Sequence, residues 1–411
     1  MGLHPFMKLP SGLPGELAAD WDRKWESFAQ ACGSADMDLQ EVSPISRVLP
    51  RVFAFSDFVA HSCIQDPALL VDLIRTDDLA RPYTAQNYEQ SLTAALAAVA
   101  DEPSLSRQMR RLRRREMVRI AWRDLSGMAD LQETLHDLSA LADGCLEHAR
   151  RHLHAWQCAE FGVPTAGDGS AQDLVIIGLG KLGSRELNFS SDIDVMFAYP
   201  SVGETRGTTI GITNEDFFAR LCRRLIQVIG QPTGDGIVFR VDTRLRPFGD
   251  SGPLVMSFDG MERYYQSQGR EWERYALTKA RVAAGDQKAG NQLLARLNPF
   301  IYRRYLDYGA FESLREMKRM ISVDVRRKGL QRNIKLGPGG IREIEFFGQV
   351  FQLIRGGVIP ELQERNIQKV LKWLAQNGQI PRDVWHELDQ AYTFLRNTEH
   401  RLQEFADQQT H

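Results

Sequence analysis

An α+β fold, with a small mixed and partly antiparallel sheet embedded between helical domains, is predicted by the spacing of apolar residues. Two stretches carry helical spacing: one runs from Val48 to about Phe161, and the other begins after Ser257. Between them the pattern changes to short apolar runs at 174–177, 193–198 and 236–241, each bounded by glycine-rich or polar turns, as strands are. The first two runs are too close in sequence for a parallel crossover, so they are expected to pair antiparallel.

Taken in order, the elements begin with a leader at 1–45, rich in Pro, Gly, Ser and Asp and expected to hold one short helix. A helical region at 46–161 follows. Its Phe53, Phe55, Phe58 and Val59, then Leu69, Leu70, Val71, Leu73 and Ile74, recur at helical intervals. Further helices are expected at 87–100, 105–125 and 131–160, with Ser126-Gly127 as the stop between the last two. Gly162 to Ser170 is turn-rich and opens a core at 162–256, which holds the strands and a helix at 214–229. The remainder, 257–411, reads as a helical region completing a cleft and a substrate-facing surface, with helices at 257–268, 271–283, 310–328, 341–353 and 381–403. A chain of 411 residues exceeds one ordinary domain, which agrees with such a division.

Composition narrows the functional classes. A chain that is 43% hydrophobic and 25% charged suits a globular protein. Nothing approaches an uncharged apolar run of about 18 residues, so no membrane partner is expected. The opening Met-Gly-Leu-His-Pro-Phe lacks the apolar core of a secretion signal. Five cysteines without a Cys-x-x-Cys pair favour reduced thiols and a cytoplasmic location. A formal charge of −2 gives no global case for nucleic acid as a partner. Arginine is concentrated locally: seven fall between Arg107 and Arg119, against the single acid Glu116. Such a run reads as a helical face lacing to acids elsewhere, with a partner or phosphate surface as the alternative. Trp122 reads as core. His148 and His152 share a helical face, but no third zinc ligand is identifiable.

The chemistry is concentrated in Gly178-Leu-Gly-Lys-Leu-Gly183 and Ser191-Asp-Ile-Asp194. Residues two apart on a strand point the same way, so Asp192 and Asp194 leave one face. Paired carboxylates are hard oxygen donors suited to Mg²⁺ carried on phosphate. A third acid, Asp242, arrives in Phe239-Arg-Val-Asp-Thr-Arg-Leu-Arg246 and can complete a cage for two ions that clamp an in-line displacement. The same acids can also serve as a structural turn and a strand salt bridge. The glycine pattern superficially matches a dinucleotide fingerprint, but Asn188-Phe-Ser-Ser-Asp interrupts the sustained helix that such a unit needs. Nor is it a Walker loop, because no Ser or Thr follows Lys181.

On the metal reading, Gly180 and Gly183 let backbone N–H groups approach a phosphate, Lys181 supplies a charge to it, and Ser191 holds a nonbridging oxygen. Strict alternation sets Arg240, Arg244 and Arg246 on the face of Asp242, although a bend near Arg244 would redirect the later pair. Arg244 and Arg246 are candidate phosphate ligands, with a surface ion-pair ladder as the alternative. Trp272 and Tyr275 suggest either a purine-facing edge or a core or interdomain contact. Lys335-Leu-Gly-Pro-Gly-Gly-Ile-Arg-Glu-Ile-Glu-Phe346 makes a glycine turn before a helix, which places Arg342, Glu343 and Glu345 as candidate substrate-facing residues or parts of a structural hairpin.

These residues, in this order, resemble the bacterial glutamine-synthetase adenylyltransferase/adenylyl-removing enzyme family, specifically its N-terminal half. The matching text includes Phe55-Ser-Asp-Phe58, Gly180-Lys-Leu-Gly183, Glu186-Leu-Asn-Phe-Ser-Ser-Asp-Ile-Asp194, Arg240-Val-Asp-Thr-Arg-Leu-Arg-Pro-Phe-Gly249, Ser251-Gly-Pro-Leu254 and Gly269-Arg-Glu-Trp-Glu-Arg-Tyr275, besides the glycine turn at 335–346. The resemblance runs from about residue 50 to the end. It implies a polymerase-beta-like nucleotidyltransferase core at 162–256, with Asp192, Asp194 and Asp242 as catalytic metal acids holding Mg²⁺, two ions, with Mn²⁺ as a substitute. It also implies phosphorolysis of an adenylylated tyrosine of glutamine synthetase, orthophosphate entering and ADP leaving, under control of a PII regulator and glutamine in the full-length enzyme. Adenylylation from ATP and a noncatalytic nucleotide-sensing module are the competing expectations.

Overall fold

The computed structural model describes residues 15–303 and 308–409. Among these, seven strands occur: β1 (Val163–Pro164), β2 (Val175–Gly178), β3 (Ile193–Tyr199), β4 (Thr205–Arg206), β5 (Val241–Asp242), β6 (Val255–Ser257) and β7 (Arg281–Gly285). β1 and β4 form a short ribbon, and the other five make one mixed sheet. β2 runs antiparallel to both β3 and β7, whereas β5 and β6 add parallel to β3. The expected antiparallel pair is therefore the centre of the sheet, with Gly178 opposite Val195.

Alternation along β3 sorts its side chains between two cores. Ile193, Val195, Phe197 and Tyr199 bury against the helices Leu131–Phe161 and Asn214–Gly230. Met196 and Ala198 face the opposite way, with Val175, Ile177 and Val282, onto the helices Phe258–Ser267 and Gln287–Ile301. Asp194 shares the parity of Met196, so its carboxylate leaves the sheet on this second face, one step beyond the apolar core. A third core, built around Ile344, Leu371, Leu374 and Tyr392, joins the helices Ile341–Arg355, Ile367–Gln376 and Arg382–Ala406.

The long helices end where their caps place them. Asp101, Asp130 and Thr213 accept the first free N–H groups of the helices Glu102–Ser126, Leu131–Phe161 and Asn214–Gly230, and Gly127 takes the left-handed conformation that stops the first of these. The arginine run lies on Glu102–Ser126, and several of its side chains turn inward. Arg115 pairs with Asp72 and Asp78, while Arg119 sits fully buried between Asp137 at 2.8 Å and the face of Tyr83, 3.5 Å from the ring centre. Acids distant in sequence thus take up those charges, and Trp122 is core.

Several expectations are corrected. The leader was expected to hold one short helix; Gly15–Ser34 is a helix of 20 residues whose Trp21, Trp25 and Phe28 bury beside Phe53, so this segment belongs to the helical core. Residues 1–14 of the leader lie outside the described residues. The strand expected at 236–241 is confined to Val241–Asp242, because the preceding backbone is drawn elsewhere: Gly236 O accepts from Arg110 and Phe239 N–H donates to Ile229 O. The helix expected at 271–283 ends at Leu277, and its tail becomes β7, whose Val282, Ala283 and Ala284 are buried beside β2. The sheet therefore extends beyond residue 256, where the core was expected to end.

Candidate active site

Three backbone facts assemble the acids. β2 ends at Gly178, and the chain reverses through Gly180–Gly183, a helix of a single turn. Leu179 N–H donates to Asp194 O at 2.9 Å, which pins that turn against the start of β3. Parallel pairing then sets Asp242 of β5 directly opposite Asp194. β5 and β6 lie successively along the same edge of β3, separated by an excursion at 243–254 that leaves the sheet immediately after Asp242.

Gly180 is required by this arrangement. Its φ is +51°, and a Cβ there would stand 2.3 Å from Asp194 Oδ2. The absent side chain admits the carboxylate itself. Gly183 answers a different need, since its Cβ would meet Lys279 O at 2.1 Å where the chain approaches β7.

The carboxylates are treated unequally. Asp192 Oδ1 accepts from Arg240 Nε at 2.7 Å and from the Gln409 amide at 2.8 Å, so both contacts fall on one oxygen. Asp242 is grasped by Arg244, whose backbone N–H and Nε reach its Oδ1 at 2.8 and 3.1 Å. Against the upward push of burial, that guanidinium holds the Asp242 carboxyl below its ordinary range. Asp194 goes the other way. Burial, then the charges of Asp242 and Asp192, push its carboxyl up to about 6, with Lys335 and Arg244 opposing.

Crowded carboxylates with hard oxygens are the donor set that a divalent cation such as Mg²⁺ suits, and the proton affinity of Asp194 registers the same excess of negative charge. The cage is not ready-made: among the described residues no three His, Cys, Asp or Glu side chains stand together in metal-ligating geometry. Arg240 and Arg244 occupy oxygens of the outer two acids, so a cation would share or displace those contacts.

The remaining sequence candidates divide. Arg244, with a side chain 71% exposed, stands beside the acids. Arg246 does not share its setting: the strand stops at Asp242, the chain turns, and Arg246 is buried, bonding Thr243 O at 3.0 Å and Thr243 Oγ1 at 2.9 Å within the excursion. The bend near Arg244 is thus present, and strict alternation ends there. Ser191 Oγ accepts from Asn188 N–H at 3.3 Å, closing a turn. Lys181 is engaged elsewhere: its ammonium bonds Glu399 and Asn188, each at 2.9 Å, and burial with the charge of Arg396 pushes it down to about 7 despite Glu399. Arg342 is exposed, Glu343 pairs with Lys318, and Glu345 bonds Lys279 at 2.7 Å. Tyr275 packs on Phe346, a contact between the helices Glu271–Leu277 and Ile341–Arg355. His148 pairs with Glu89.

Sequence reasoning missed the charge of Lys335 near the acids and the buried polar face of the helix Arg382–Ala406. Lys335 was quoted in the glycine turn, yet its charge is felt by both Asp194 and Lys181. On Arg382–Ala406, the side chains of Arg396, Glu399, His400, Gln403 and Glu404 are buried, so this helix docks through a polar face. A signal was present, since an apolar stripe on that helix is flanked by polar residues at the same helical spacing, but their partners lie some 200 residues upstream.

A mixed sheet of this kind, with acids on adjoining strands and a glycine turn against them, is the polymerase-beta-like core of a nucleotidyltransferase. The family described as glutamate-ammonia ligase adenylyltransferase matches residues 46–296, and the chain belongs to it. Residues 315–411 match the family described as GlnD PII-uridylyltransferase. Among similar proteins, the bifunctional glutamine synthetase adenylyltransferase/adenylyl-removing enzyme of Nitrosococcus oceani is 53% identical over 98% of this chain and 41% of its own length. The proteins of that name from Thioalkalivibrio sulfidiphilus and Pseudomonas aeruginosa are 50% and 49% identical, over 97% and 98% of this chain and 41% and 42% of their own lengths. The chain thus spans about two-fifths of the length of the relatives it matches. No helix among the described residues is long and apolar enough to cross a membrane.

Proposed function

We propose that this chain removes AMP from an adenylylated tyrosine of glutamine synthetase by phosphorolysis, releasing ADP, within the cytoplasm. The observation that carries the proposal is the register of Asp194 with Asp242, which sets Asp194 beside an acid held by Arg244, with Arg240 holding Asp192 next to them. The order of its motifs, which resembles the N-terminal half of the family, favours the removing direction. The names of the relatives, which couple adenylyl transfer with adenylyl removal, are consistent with it.

In the reaction an oxygen of hydrogen phosphate forms a bond to the AMP phosphorus while the bond from phosphorus to the tyrosine oxygen breaks. The proton carried by hydrogen phosphate ends on the departing phenolate, whose conjugate acid has a free pKa near 10, so the charges balance without a strong base. The difficulty is electrostatic, because an anion approaches an anionic diester. Arg244, exposed beside Asp242, can turn its outer guanidinium nitrogens to the phosphates, and Lys335 adds a second positive charge near Asp194. Arg240 orients Asp192, and Gly180 leaves room for Asp194. Mg²⁺, with Mn²⁺ as a substitute, would be held by Asp192, Asp194 and Asp242 and would supply charge stabilisation on the phosphoryl oxygens. In the full-length enzyme a PII regulator would act on this activity.

Adenylylation from ATP would use the same acids, and the name of the matched family keeps it as the second reading. Isotopically labelled orthophosphate separates the two. Supplied with adenylylated glutamine synthetase and Mg²⁺, the chain is expected to place the label in the β-phosphate of ADP. Unlabelled AMP as the main product, or AMP incorporation from ATP without phosphate-dependent removal, would overturn the assignment.

A further inference from the structure

The helix Arg382–Ala406 grips the segment between the two ends of the site at separate points. Glu399, with a fully buried side chain, bonds the Lys181 ammonium through both oxygens at 2.9 Å. Arg396 donates to Glu186 O at 2.5 Å and to Asn188 Oδ1 at 2.6 Å. Gln403 Oε1 accepts from Ser190 N–H at 3.0 Å. Lys181 directly follows Gly180, whose backbone lies against the Asp194 carboxylate. At the other end, Ser190 O accepts from the same Arg240 that holds Asp192. Both flanks of the catalytic turn are therefore tied to one helix from a distant part of the chain.

Burying an ammonium with a carboxylate contributes little net stability compared with apolar packing, because desolvation opposes the attraction. What such a pair does supply is a fixed distance between two backbones. A carboxylate that must sit against a glycine backbone needs that backbone held to about 0.5 Å.

We propose that Glu399 and Lys181 form a buried strut through which the helix Arg382–Ala406 sets the Gly180 turn against Asp194, Lys181 being a positioning residue and not a ligand of phosphate. The strut deepens the nucleotidyl-transfer reading and rests on it for its kinetic consequence. Its geometric consequence, the placement of a metal acid, is independent of the direction of the reaction.

The test uses the whole chain and the variants Glu399→Gln, Lys181→Met and the charge-neutral double variant K181M/E399Q. Mn²⁺ affinity, melting temperature, kcat and KM for orthophosphate are measured on each. In the double variant kcat and Mn²⁺ affinity should each fall about tenfold or more, as for a residue that orients a metal ligand, with KM for orthophosphate within about twofold of the parent. Glu399→Gln, whose amide oxygen still accepts from Lys181, should recover most of kcat. If the double variant fails to fold, K181M/E399M replaces the pair with apolar side chains of similar length, removes the same strut and meets the same thresholds. Unchanged kcat and Mn²⁺ affinity would overturn the strut. So would a rise in KM for orthophosphate with kcat intact, which would return Lys181 to the phosphate. A parent chain that binds Mn²⁺ but forms no labelled ADP would instead refute the phosphorolytic reading, and the Mn²⁺ ratios would then decide the strut alone.

Discussion

Replacing Asp194 with Asn is expected to stabilise the metal-free protein while abolishing turnover, and the size of the gain follows from the site. Burial and two neighbouring carboxylates raise the Asp194 carboxyl from 3.8 to about 6. At about 1.4 kcal/mol for each tenfold change in proton affinity, the ionised form carries a penalty of about 3 kcal/mol in the folded state. The folded carboxyl binds its proton more tightly than the unfolded one, so this contribution to stability is fully present below about 3.8 and is lost as pH rises through about 6. Asn keeps the shape and never ionises. In chelator, urea titrations at pH 7.5 should therefore show D194N more stable than the parent by about 3 kcal/mol, with the difference shrinking toward zero at pH 4. Adding Mg²⁺ at pH 7.5 should stabilise the parent and leave the variant nearly unmoved, since only the parent keeps the acid that a cation would neutralise. A variant less stable than the parent at pH 7.5, or a difference independent of pH, would refute the claim that like charge and burial dominate at Asp194.

Two further outcomes follow from the same geometry. Asp192→Asn and Asp242→Asn should each lower kcat by about 100-fold or more, measured as ADP formation, in variants whose circular dichroism matches the parent, because each removes charge from the cage proposed for the cation. Arg119→Met should destabilise the helical region by about 3–5 kcal/mol in urea denaturation, since Asp137 would be left buried without its partner; a change below about 1 kcal/mol would mean that the pair is solvated in solution.

What could be read from the sequence depended on how local its causes were. The helices Leu131–Phe161 and Asn214–Gly230 were legible almost to the residue, because their apolar faces and their caps Asp130 and Thr213 lie within the segment itself. β7 was not legible. Arg281 to Ala284 carries no breaker, and its helix-compatible alanines become a strand only because β2 offers an unpaired edge about a hundred residues upstream. The excursion after Asp242 was equally hidden. Arg240, Arg244 and Arg246 alternate perfectly in sequence, but alternation has meaning only while the chain remains a strand, and the ladder to β3 ends at Asp242. The buried charges of Arg382–Ala406 escaped detection for the opposite reason, since a helix bearing Arg396, Glu399 and Glu404 looks solvated until Lys181, Glu186 and Asp124 are known to cover it.

Alternation alone would put Asp192 and Asp194 on one strand face, but β3 begins at Ile193, so Asp192 lies just before the strand and is held there by Arg240. The inequality of the acids was not legible, and it bears on the chemistry. Asp192 and Asp242 each have a guanidinium in contact, whereas among the described residues Asp194 has no comparable ion pair. Negative charge is therefore balanced at the rim of the site and left in excess at its centre, on the carboxylate held closest to the Gly180 backbone. On the proposed reading, a cation arriving with a phosphate would gain most at that central position, and an arginine displaced from Asp242 would become free for the phosphate that accompanies it. Such an exchange of partners would limit the change in net charge as substrate enters, with Arg244 balancing Asp242 in the resting protein and the phosphoryl group in the proposed reaction.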